Sequence, residues 1–575
     1  MPSPLALKDC HPPVPSTERG HRTSFHLHRN KFLFYCNGKN VFNRNLSNGK
    51  VSLCTQHSAS ASTLTVKCSP NGKFVASGDG QGLLVVCHFD EETGEMLPYA
   101  KQRLWAGKIK DICWEEPLGE RLFAVGEGAA VWSVSKKACE SWGVSVNSRP
   151  VNSVCWSPSG AEAASCSDDF SVALFASKSQ LEFKQTLGGH SNFVQQVAYS
   201  PNGKLLASVS TDKQLIVHGV GQVSNAHEGG IYAVAWTSDN SLLTVSADKK
   251  AKLWSLSPDG SIQSTDELLM QEPLLGLSWS LDEKCGFVCG LSGALTRISL
   301  EGASLRQGER LFGHSSGIVQ LGTCAESNKV FSLDSSGTLQ VNFQFHSKVE
   351  GASRVEFYQQ EPIMLAYGKL VKGEQVLQSN VDAFCIREQI LHVIGQGKRQ
   401  TFQLPSLSLL SSSSCESNEN SIVLLSKSAL IVSCNSRLQV FGEKEEKTIN
   451  CEGPISALAL CPDNSLLAVG LKRGLVQLFS LETLLPLITH EWSAHCGIVY
   501  GMCWITNEIL YSASLDGCIV QWNVPTPLKW QIYRGAHAGG VYALGLVKLK
   551  QHDLMDQSIL ISGGSDACLK EWNIL

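Results

Sequence analysis

The stretch 226–257, AHEGGIYAVAWTSDNSLLTVSADKKAKLWSLS, restricts the possible folds more than any other part of this chain. Its run IYAVAW has the period-two pattern of a half-buried strand. The turn formers TSDN follow, then a second apolar run, a tight turn at Asp248 and a third strand-like run that ends on Trp254. Because short strands are joined by tight turns, this stretch predicts one small antiparallel sheet.

The same pattern recurs along the chain. In each clear copy a His opens the repeat, a Ser or Thr lies four residues before an Asp, and a Trp lies six residues after it. His190, Ser208 and Asp212 keep this order and spacing, with His218 where the Trp is expected. Repeats of about 40 residues with four strands each predict propeller blades. The pattern resembles the WD40 repeat.

In WD40 repeats the His, the Ser or Thr, the Asp and the Trp form a buried chain of hydrogen bonds that ties the strands of one blade. The resemblance implies this structural role for three complete sets in the present sequence. The sets are His227, Thr244, Asp248 and Trp254; His495, Ser512, Asp516 and Trp522; and His537, Ser562, Asp566 and Trp572.

These landmarks predict fourteen blades. Seven centre on 21–47, 57–90, 105–136, 146–177, 190–220, 227–257 and 272–300, and seven more on 314–345, 350–377, 379–405, 415–443, 451–482, 495–525 and 537–575. The Ser-rich run 407–421 is interpreted as an exposed loop between blades. Because a closed ring usually has four to eight blades, two rings are favoured over one. The predicted fold is all-β: two tandem seven-bladed WD40 β-propellers, over 17–305 and 306–575.

The two ends of the sequence predict how the second propeller closes. The sequence ends three residues after Trp572, so we expect the last blade to lack its outer strand. A strand from about 1–16, centred on 5–10, is predicted to fill that place. Closure matters because an unpaired edge strand invites aggregation.

Composition and charge argue against several functional classes. The 575 residues are 43% hydrophobic and 17% charged, which is typical of a globular protein. The net charge of −4 comes without a basic stripe, so we expect no nucleic-acid partner. No signal peptide and no apolar run of ~18 residues are present, so we expect no membrane partner. The 21 scattered cysteines favour free thiols over disulfides or zinc. We therefore expect a cytoplasmic monomer.

Two patterns mimic functional sites. His190, Ser208 and Asp212 are the residue types of a hydrolase triad, but inside a blade they form a satisfied structural network. The run GDGQG at 78–82 resembles a phosphate loop, but no helix pattern follows it, and a turn between strands explains it better. We expect no catalytic, cofactor-binding or metal-binding residues and hence no enzyme. A propeller binds partners through its loops and turns.

Several stretches resemble one WD40 family, actin-interacting protein 1. The most specific is AGKIKDICW at 106–114, followed by VGEG at 125–128. AHEGGIYA at 226–233, SDD at 167–169 and DACLKEW at 566–572 are similar to the same family. The resemblance implies two linked seven-bladed propellers. It also implies binding to cofilin-decorated actin filaments, with ADF/cofilin as a second partner, and promotion of filament severing, disassembly and barbed-end capping.

The resemblance also implies a binding surface on the first propeller. Carried over by motif, this surface contains Glu127 of the VGEG run, Asp168 of the SDD run, and Phe183 and Phe193. The chain departs from the family after Gly128, where it is shorter, and ahead of Phe183, where ASKSQLE replaces an aromatic, Pro-containing run. The alternative function is a generic WD40 scaffold or adaptor subunit of another complex.

The two neighbouring aspartates of the SDD run have different expected roles. Asp169 lies four residues after Ser165 and six before Phe175, which occupies the Trp position, so the spacing predicts that Asp169 is the structural aspartate. Asp168 then has no structural role, and we expect it to point to solvent. Burial and exposure are both open for the two phenylalanines, and the resemblance favours exposure.

Overall fold

The computed structural model describes most of the chain. The described residues are 5–58, 61–142, 148–177, 180–323, 329–387, 389–418, 420–426, 429–442, 446–488, 492–549 and 557–574. Within these ranges the regular secondary structure consists of β-strands. Accordingly, the described part of the chain contains no helix with the length and apolar character needed to span a membrane.

The chain forms two compact units. The first unit is Val14–Phe312, and the second unit combines Met1–Pro13 with Gly313–Leu575. The described residues form fourteen four-stranded sheets, which we number as blades 1–7 in the first unit and 8–14 in the second. Strand β1 (Leu5–His11) belongs to blade 14, and β29 (Ser304–Leu311) spans the predicted border at 305/306.

In every blade of the first unit four consecutive strands pair in order as an antiparallel meander. The strands are β2 (Phe25–His28), β3 (Phe32–Asn37), β4 (Asn40–Asn45) and β5 (Val51–Cys54) in blade 1; β6 (Thr63–Cys68), β7 (Phe74–Asp79), β8 (Leu83–Phe89) and β9 (Met96–Arg103) in blade 2; β10 (Ile109–Trp114), β11 (Arg121–Gly126), β12 (Ala129–Ser133) and β13 (Ala138–Trp142) in blade 3; β14 (Val151–Trp156), β15 (Glu162–Ser167), β16 (Val172–Ser177) and β17 (Leu181–Leu187) in blade 4; β18 (Val194–Tyr199), β19 (Leu206–Ser210), β20 (Leu215–His218) and β21 (Gly221–Val223) in blade 5; β22 (Ile231–Ser238), β23 (Ser241–Ser246), β24 (Lys250–Leu256) and β25 (Ile262–Leu269) in blade 6; and β26 (Leu274–Ser280), β27 (Cys285–Gly290), β28 (Leu295–Glu301) and β29 in blade 7.

The second unit repeats the meander in blades 8–13 and completes blade 14 with β1. The strands are β30 (Ile318–Thr323), β31 (Val330–Asp334), β32 (Thr338–Val341) and β33 (Gln344–Lys348) in blade 8; β34 (Ala352–Tyr358), β35 (Glu361–Ala366), β36 (Lys369–Lys372) and β37 (Gln375–Ser379) in blade 9; β38 (Ala383–Arg387), β39 (Ile390–Gly395), β40 (Lys398–Gln403) and β41 (Ser408–Ser414) in blade 10; β42 (Val423–Leu425), β43 (Ala429–Cys434), β44 (Arg437–Gly442) and β45 (Glu446–Asn450) in blade 11; β46 (Ile455–Leu460), β47 (Leu466–Leu471), β48 (Val476–Ser480) and β49 (Pro486–Ile488) in blade 12; β50 (Val499–Trp504), β51 (Ile509–Ser514), β52 (Ile519–Asn523) and β53 (Trp530–Tyr533) in blade 13; and β54 (Val541–Leu549), β55 (Gln557–Gly564) and β56 (Leu569–Ile574) in blade 14.

The core lies between neighbouring blades. The second and third strands of most blades are covered on both faces, so they are buried at nearly every position rather than at alternate ones. Between blades 5 and 6, for example, Leu215 and Val217 of one sheet pack with Trp236 and Trp254 of the next. The fourth strands are largely exposed, as β17 shows.

The first unit closes where blade 7 meets blade 1. The backbone N–H of Thr23 donates to the carbonyl of Leu275 (2.8 Å), and the N–H of Leu27 donates to Ser278 Oγ (2.9 Å). A Cβ on Gly276 would lie 2.4 Å from the Thr23 carbonyl oxygen, so only glycine fits this contact. These contacts join the last blade of the unit to its first.

Blade 14 receives its outer strand from the start of the chain. Strand β1 pairs antiparallel with β56, from Leu5 opposite Ile574 to His11 opposite Leu569. The Glu571 carboxylate lies 3.1 Å from both Lys8 Nζ and His11 Nε2. Residues 1–4 of the predicted closing segment lie outside the described residues.

The interpretation of 407–421 as a loop between blades is wrong for the part of that run that spans 408–414. Ser408–Ser414 forms β41 and pairs with β40, from Gln403 opposite Ser408 to Lys398 opposite Ser414. All seven residues of β41 are exposed. A fourth strand has no neighbour on its outer side and little burial, so a serine run can occupy it.

Candidate functional site

The His, Ser or Thr, Asp and Trp side chains of each complete set form one chain of hydrogen bonds inside a blade. In blade 6, Trp254 Nε1 donates to Thr244 Oγ1 (2.8 Å), and that hydroxyl lies 2.8 Å from His227 Nε2. His227 Nδ1 lies 2.8 Å from Asp248 Oδ2. The hydroxyl has one proton, which it donates to Nε2, so Nδ1–H donates to the carboxylate.

The other complete sets have the same geometry in blades 13 and 14. Their hydrogen bonds measure 2.7–3.0 Å and join His495, Ser512, Asp516 and Trp522, and His537, Ser562, Asp566 and Trp572. In blade 5, His190 contacts Asp212 and Ser208 at 2.9 Å, and His218 Nε2 lies 2.9 Å from the Ser208 hydroxyl, in the place of the Trp indole. These buried groups bond one another, which is a structural arrangement.

Two further sets were missed by the sequence reasoning. His57 lies 2.7 Å from Ser77 Oγ and 3.1 Å from Asp79, and His314 lies 2.7 Å from Ser332 Oγ and 3.2 Å from Asp334. Here the carboxylate follows the Ser by two residues instead of four, because it comes from the end of the strand and not from the turn. A search for S-x-D about twenty residues after a His would have found both.

Three of the four residues expected to bind a partner lie at one edge of blades 3–5. In blade 4, Val151 pairs with Ser167 and Val172 pairs with Leu187, so the start of the first strand and the turn between the second and third strands share an edge. Glu127 and Asp168 occupy such turns, and Phe193 directly precedes β18. We call the edge formed by Glu127, Asp168 and Phe193 the turn edge.

Asp168 is held by its neighbours. Its Oδ1 accepts a hydrogen bond from Asn152 Nδ2 (2.6 Å), and its Oδ2 lies 3.3 Å from Lys110 Nζ. Lys110 also donates to Asn152 Oδ1 (2.8 Å), and Asn152 donates to the carbonyl of Val194 (2.9 Å). The expectation that Asp168 has no structural role and points to solvent is therefore wrong, because its carboxylate joins blades 3 and 4 through Lys110 and Asn152. About a quarter of its side chain, 23%, is exposed.

Asp169 holds its own turn. Its Oδ2 accepts from the backbone N–H of Ser148 (2.8 Å), and its Oδ1 accepts from the N–H (3.0 Å) and the hydroxyl (2.5 Å) of Ser171. The bond from the Ser148 N–H corresponds to the backbone N–H bond that the Asp also accepts in the complete sets, for example from Glu228 to Asp248. Asp169 therefore has the structural position that the spacing predicted.

Phe193 adds an aromatic surface beside Asp168. Its side chain is 40% exposed, and its ring centroid lies 5.9 Å from that of Phe170, in the same turn as Asp168. The Arg149 guanidinium lies 6.0 Å from the Phe170 ring centroid. An aromatic pair next to a carboxylate forms a mixed apolar and acidic surface.

The other two residues of the predicted set, Glu127 and Phe183, lie in different parts of their blades. Glu127 is exposed in the turn between β11 and β12, and its carboxylate covers Gly107, where an added Cβ would lie 2.2 Å from Oε2. Phe183 is 49% exposed on the outer strand β17, opposite Phe175, and the two rings meet edge to face at 6.3 Å. The structure thus leaves Phe183 away from the turn edge, on the side of blade 4.

A cavity of about 360 Å³ lies beside the turn edge, lined by Lys108, Lys110 and Asn152 and by the segment before β2. That segment is fixed by Arg22, whose Nη2 lies 2.7 Å from Asp111 Oδ2, with both side chains buried. Ser153 Oγ also donates to this carboxylate (2.8 Å). Sequence reasoning missed Lys110 as a partner of Asp168, although it lies in the AGKIKDICW run, and Asn152 has no motif that could have marked it.

Comparison with known proteins finds WD40 repeats in this chain and relatives that match it over its full length. The family model for the WD domain, G-beta repeat, matches residues 143–175, 181–218, 221–255 and 487–523. Actin-interacting protein 1 of Drosophila melanogaster is 26% identical, over 100% of this chain and 99% of its own length. WD repeat-containing protein 1 of Gallus gallus is 26% identical over the whole of both chains. The chain is thus similar over its full length to proteins named actin-interacting protein 1 and WD repeat-containing protein 1.

The similarity to actin-interacting protein 1 extends over the full length, including the part without WD40 landmarks. Actin-interacting protein 1-2 of Arabidopsis thaliana is 25% identical over 99% of both chains. The matched WD40 segments correspond to blades 4, 5, 6 and 13, of which blades 5, 6 and 13 contain a His, Ser or Thr, and Asp chain at the regular spacing. The similarity to these relatives therefore covers more of the chain than the repeat pattern does.

Proposed function

We propose that this protein binds actin filaments and acts with ADF/cofilin to promote filament severing and disassembly and barbed-end capping. The observation that carries the proposal is the full-length similarity to relatives named for an interaction with actin. We also propose that it is a non-catalytic, monomeric protein of the cytoplasm and actin cytoskeleton, without a nucleic-acid or membrane partner.

The turn edge supports the proposal physically. It offers two carboxylates, Glu127 and Asp168, next to the half-exposed ring of Phe193. Aromatic side chains at the centre of an interface often dominate its binding energy, and a charged group beside them orients the partner. The bonds from Lys110 and Asn152 fix the Asp168 carboxylate before binding, which lowers the entropic cost of association.

Co-sedimentation with actin filaments, with and without cofilin, tests the proposal. We expect the protein to pellet with filaments only when cofilin is present, or far more strongly when it is, and to shorten the filaments. The alternative, a scaffold or adaptor for another complex, would leave the protein in the supernatant under both conditions. That result would refute the proposed function.

Phe183 allows a matched test of the outer strand of blade 4. Phe183→Ala should slow cofilin-dependent disassembly several-fold, because it removes an exposed ring at a proposed contact. Leu97→Ala is the control, since Leu97 is 56% exposed on β9, the corresponding strand of blade 2. Equal disassembly rates for the two variants would remove Phe183 from the binding surface.

A further inference from the structure

Blades 9, 10 and 11 have unusually short turns between their second and third strands. Ala366 pairs with Lys369, Gly395 with Lys398, and Cys434 with Arg437, so each turn contains two residues. In blade 5 the corresponding pair is Val209 and Leu215, with five residues between them. The short turns therefore cover less of the edge of blades 9–11 on which they lie.

The short turns are built with left-handed backbone at residues other than glycine. The first residues of the three turns, Tyr367, Gln396 and Asn435, have φ of 47°, 53° and 52°. Two-residue hairpin turns of this kind need positive φ at the first position, and Asn or Gly usually provides it. A Tyr in this position is uncommon, and the turn places its ring at the surface.

A recess of about 720 Å³ opens where the turns of blades 9 and 10 are short. Side chains of Tyr367, Asn380, Asp382, Gln396 and Ser417 line it. The Tyr367 ring rests on Gly351, where an added Cβ would come within 2.4 Å of the ring, and 78% of the side chain is exposed. One face of an aromatic ring is therefore presented to whatever enters the recess.

The charge of the recess is acidic. Among the described residues that line it, Asp382 is the one with a charged side chain. Ser417 Oγ donates to Asp382 Oδ2 (2.7 Å), which fixes the orientation of the carboxylate. Asn380 and Gln396 are exposed and line the same opening, so each has a carboxamide oxygen that can accept a hydrogen bond there. An aromatic face, an oriented carboxylate and amide oxygens are together the groups that bind a cation with N–H donors.

We propose that this recess binds the arginine side chain of an extended segment of a protein partner. The guanidinium stacks on the Tyr367 ring and donates a hydrogen bond to Asp382. Its remaining N–H groups donate to the amide oxygens. The compact ammonium of a lysine fits this arrangement less well, because it has no planar face to stack. The site lies within the second unit and is independent of the turn edge and of the function proposed for it.

Nuclear magnetic resonance titration of the full chain with two synthetic heptapeptides tests this proposal. The peptides have the sequence GSGXGSG with blocked ends, where X is arginine or its neutral isostere citrulline. We expect the arginine peptide to bind at least about fivefold more tightly than the citrulline peptide. A factor of this size is expected for one cation–π or charge-assisted contact. Asp382→Asn and Tyr367→Leu should each weaken the arginine peptide by a similar factor and leave the citrulline peptide unchanged.

Asp259→Asn, in an exposed turn of blade 6, is the control and should bind the arginine peptide as the wild type does. Thermal melting of each variant shows that the fold is retained. Equal binding of the two peptides, no binding of the arginine peptide at millimolar concentration, or wild-type binding by Asp382→Asn would each overturn the proposal.

Discussion

At the scale of single residues, the structural carboxylates are stabilised as anions by their hydrogen bonds. Burial alone raises the pKa of the Asp516 carboxyl, but the hydrogen bond from His495 and those from the N–H groups of Cys518 and Cys496 outweigh it and lower the pKa to about 2. Asp248 has the same arrangement, with burial opposed by His227 and by backbone donors, and its pKa is also about 2. Both anions therefore favour the folded state.

This predicts a specific loss of stability in acid. Because the folded-state pKa of Asp516 is about 2 and its ordinary value is 3.8, its contribution is present above about pH 4 and is lost as the pH falls towards 2. Asp516→Asn should melt at a lower temperature than the wild type at pH 5, and the difference should shrink by pH 2.5. Differential scanning calorimetry at several pH values measures it. A difference that stays constant across that range would contradict the pKa shift.

Asp168 and Asp169 are expected to fail in different assays. Asp169→Ala removes three acceptor bonds from its turn and should destabilise the first unit by roughly 1–3 kcal/mol. Asp168→Ala should lower the melting temperature less than Asp169→Ala, because it removes one hydrogen bond and one partly exposed ion pair, and should slow cofilin-dependent disassembly several-fold. Melting temperature and disassembly rate separate the two effects.

Lys110→Met shows whether Asp168 contacts the partner directly. It breaks the same ion pair but keeps the carboxylate and its bond from Asn152. A wild-type rate for Lys110→Met beside a slow Asp168→Ala means that the carboxylate itself binds. If Asp168→Ala disassembles filaments as fast as the wild type, Asp168 does not belong to the binding surface.

At the scale of strands and blades, the sequence predicts a feature well where the chain repeats one geometry. The all-β fold and the sets around His227, His495 and His537 follow a fixed spacing, which a sequence shows directly. Asp79 and Asp334 reach the same His position from the end of a strand, so a fixed spacing misses them. Blades 9–11 replace the usual turn by two residues, so their recess has no counterpart in the repeat pattern.

The candidate site was less predictable than the fold because its contacts join different blades. Lys110, Asn152 and Asp168 belong to blades 3 and 4 and are 16 to 58 residues apart. Spacing within one repeat places Asp169 correctly but contains no information about a neighbouring blade. The pairing of Asp168 therefore required the structure.

The pairing of β1 with β56 predicts how the second unit changes when the closing strand of blade 14 is removed. Deleting residues 1–11 removes β1 and leaves β56 as an unpaired edge, with Glu571 deprived of Lys8 and His11. The melting temperature of the second unit should fall, and the variant should aggregate more as its concentration rises. Lys8→Ala is the control, because it removes one side chain and keeps the backbone pairing. Unchanged melting and solubility after the deletion would show that β1 is dispensable.

At the scale of the whole molecule, the two units close by different means. The first unit is one continuous segment and closes where its last blade meets its first, through Thr23 and Leu275. The second unit takes one strand from before the first unit and all others from after it. Each unit has its own core between blades and its own buried His, Ser or Thr, and Asp chains, so each has the interactions needed to unfold as a separate cooperative body.

One matched pair of variants tests whether the two units unfold separately. Asp248 and Asp516 have the same bonds to a His and to two backbone N–H groups, one in the first unit and one in the second. Asp248→Ala and Asp516→Ala should each cost on the order of 1–3 kcal/mol, because a buried His donor loses its acceptor. Calorimetry should show two transitions, with Asp248→Ala lowering one and Asp516→Ala lowering the other. At a temperature below both transitions, Asp516→Ala should disassemble filaments with cofilin at the wild-type rate. If both variants lower a single shared transition, the two units unfold as one body, and the assignment of independent stability to each ring is wrong.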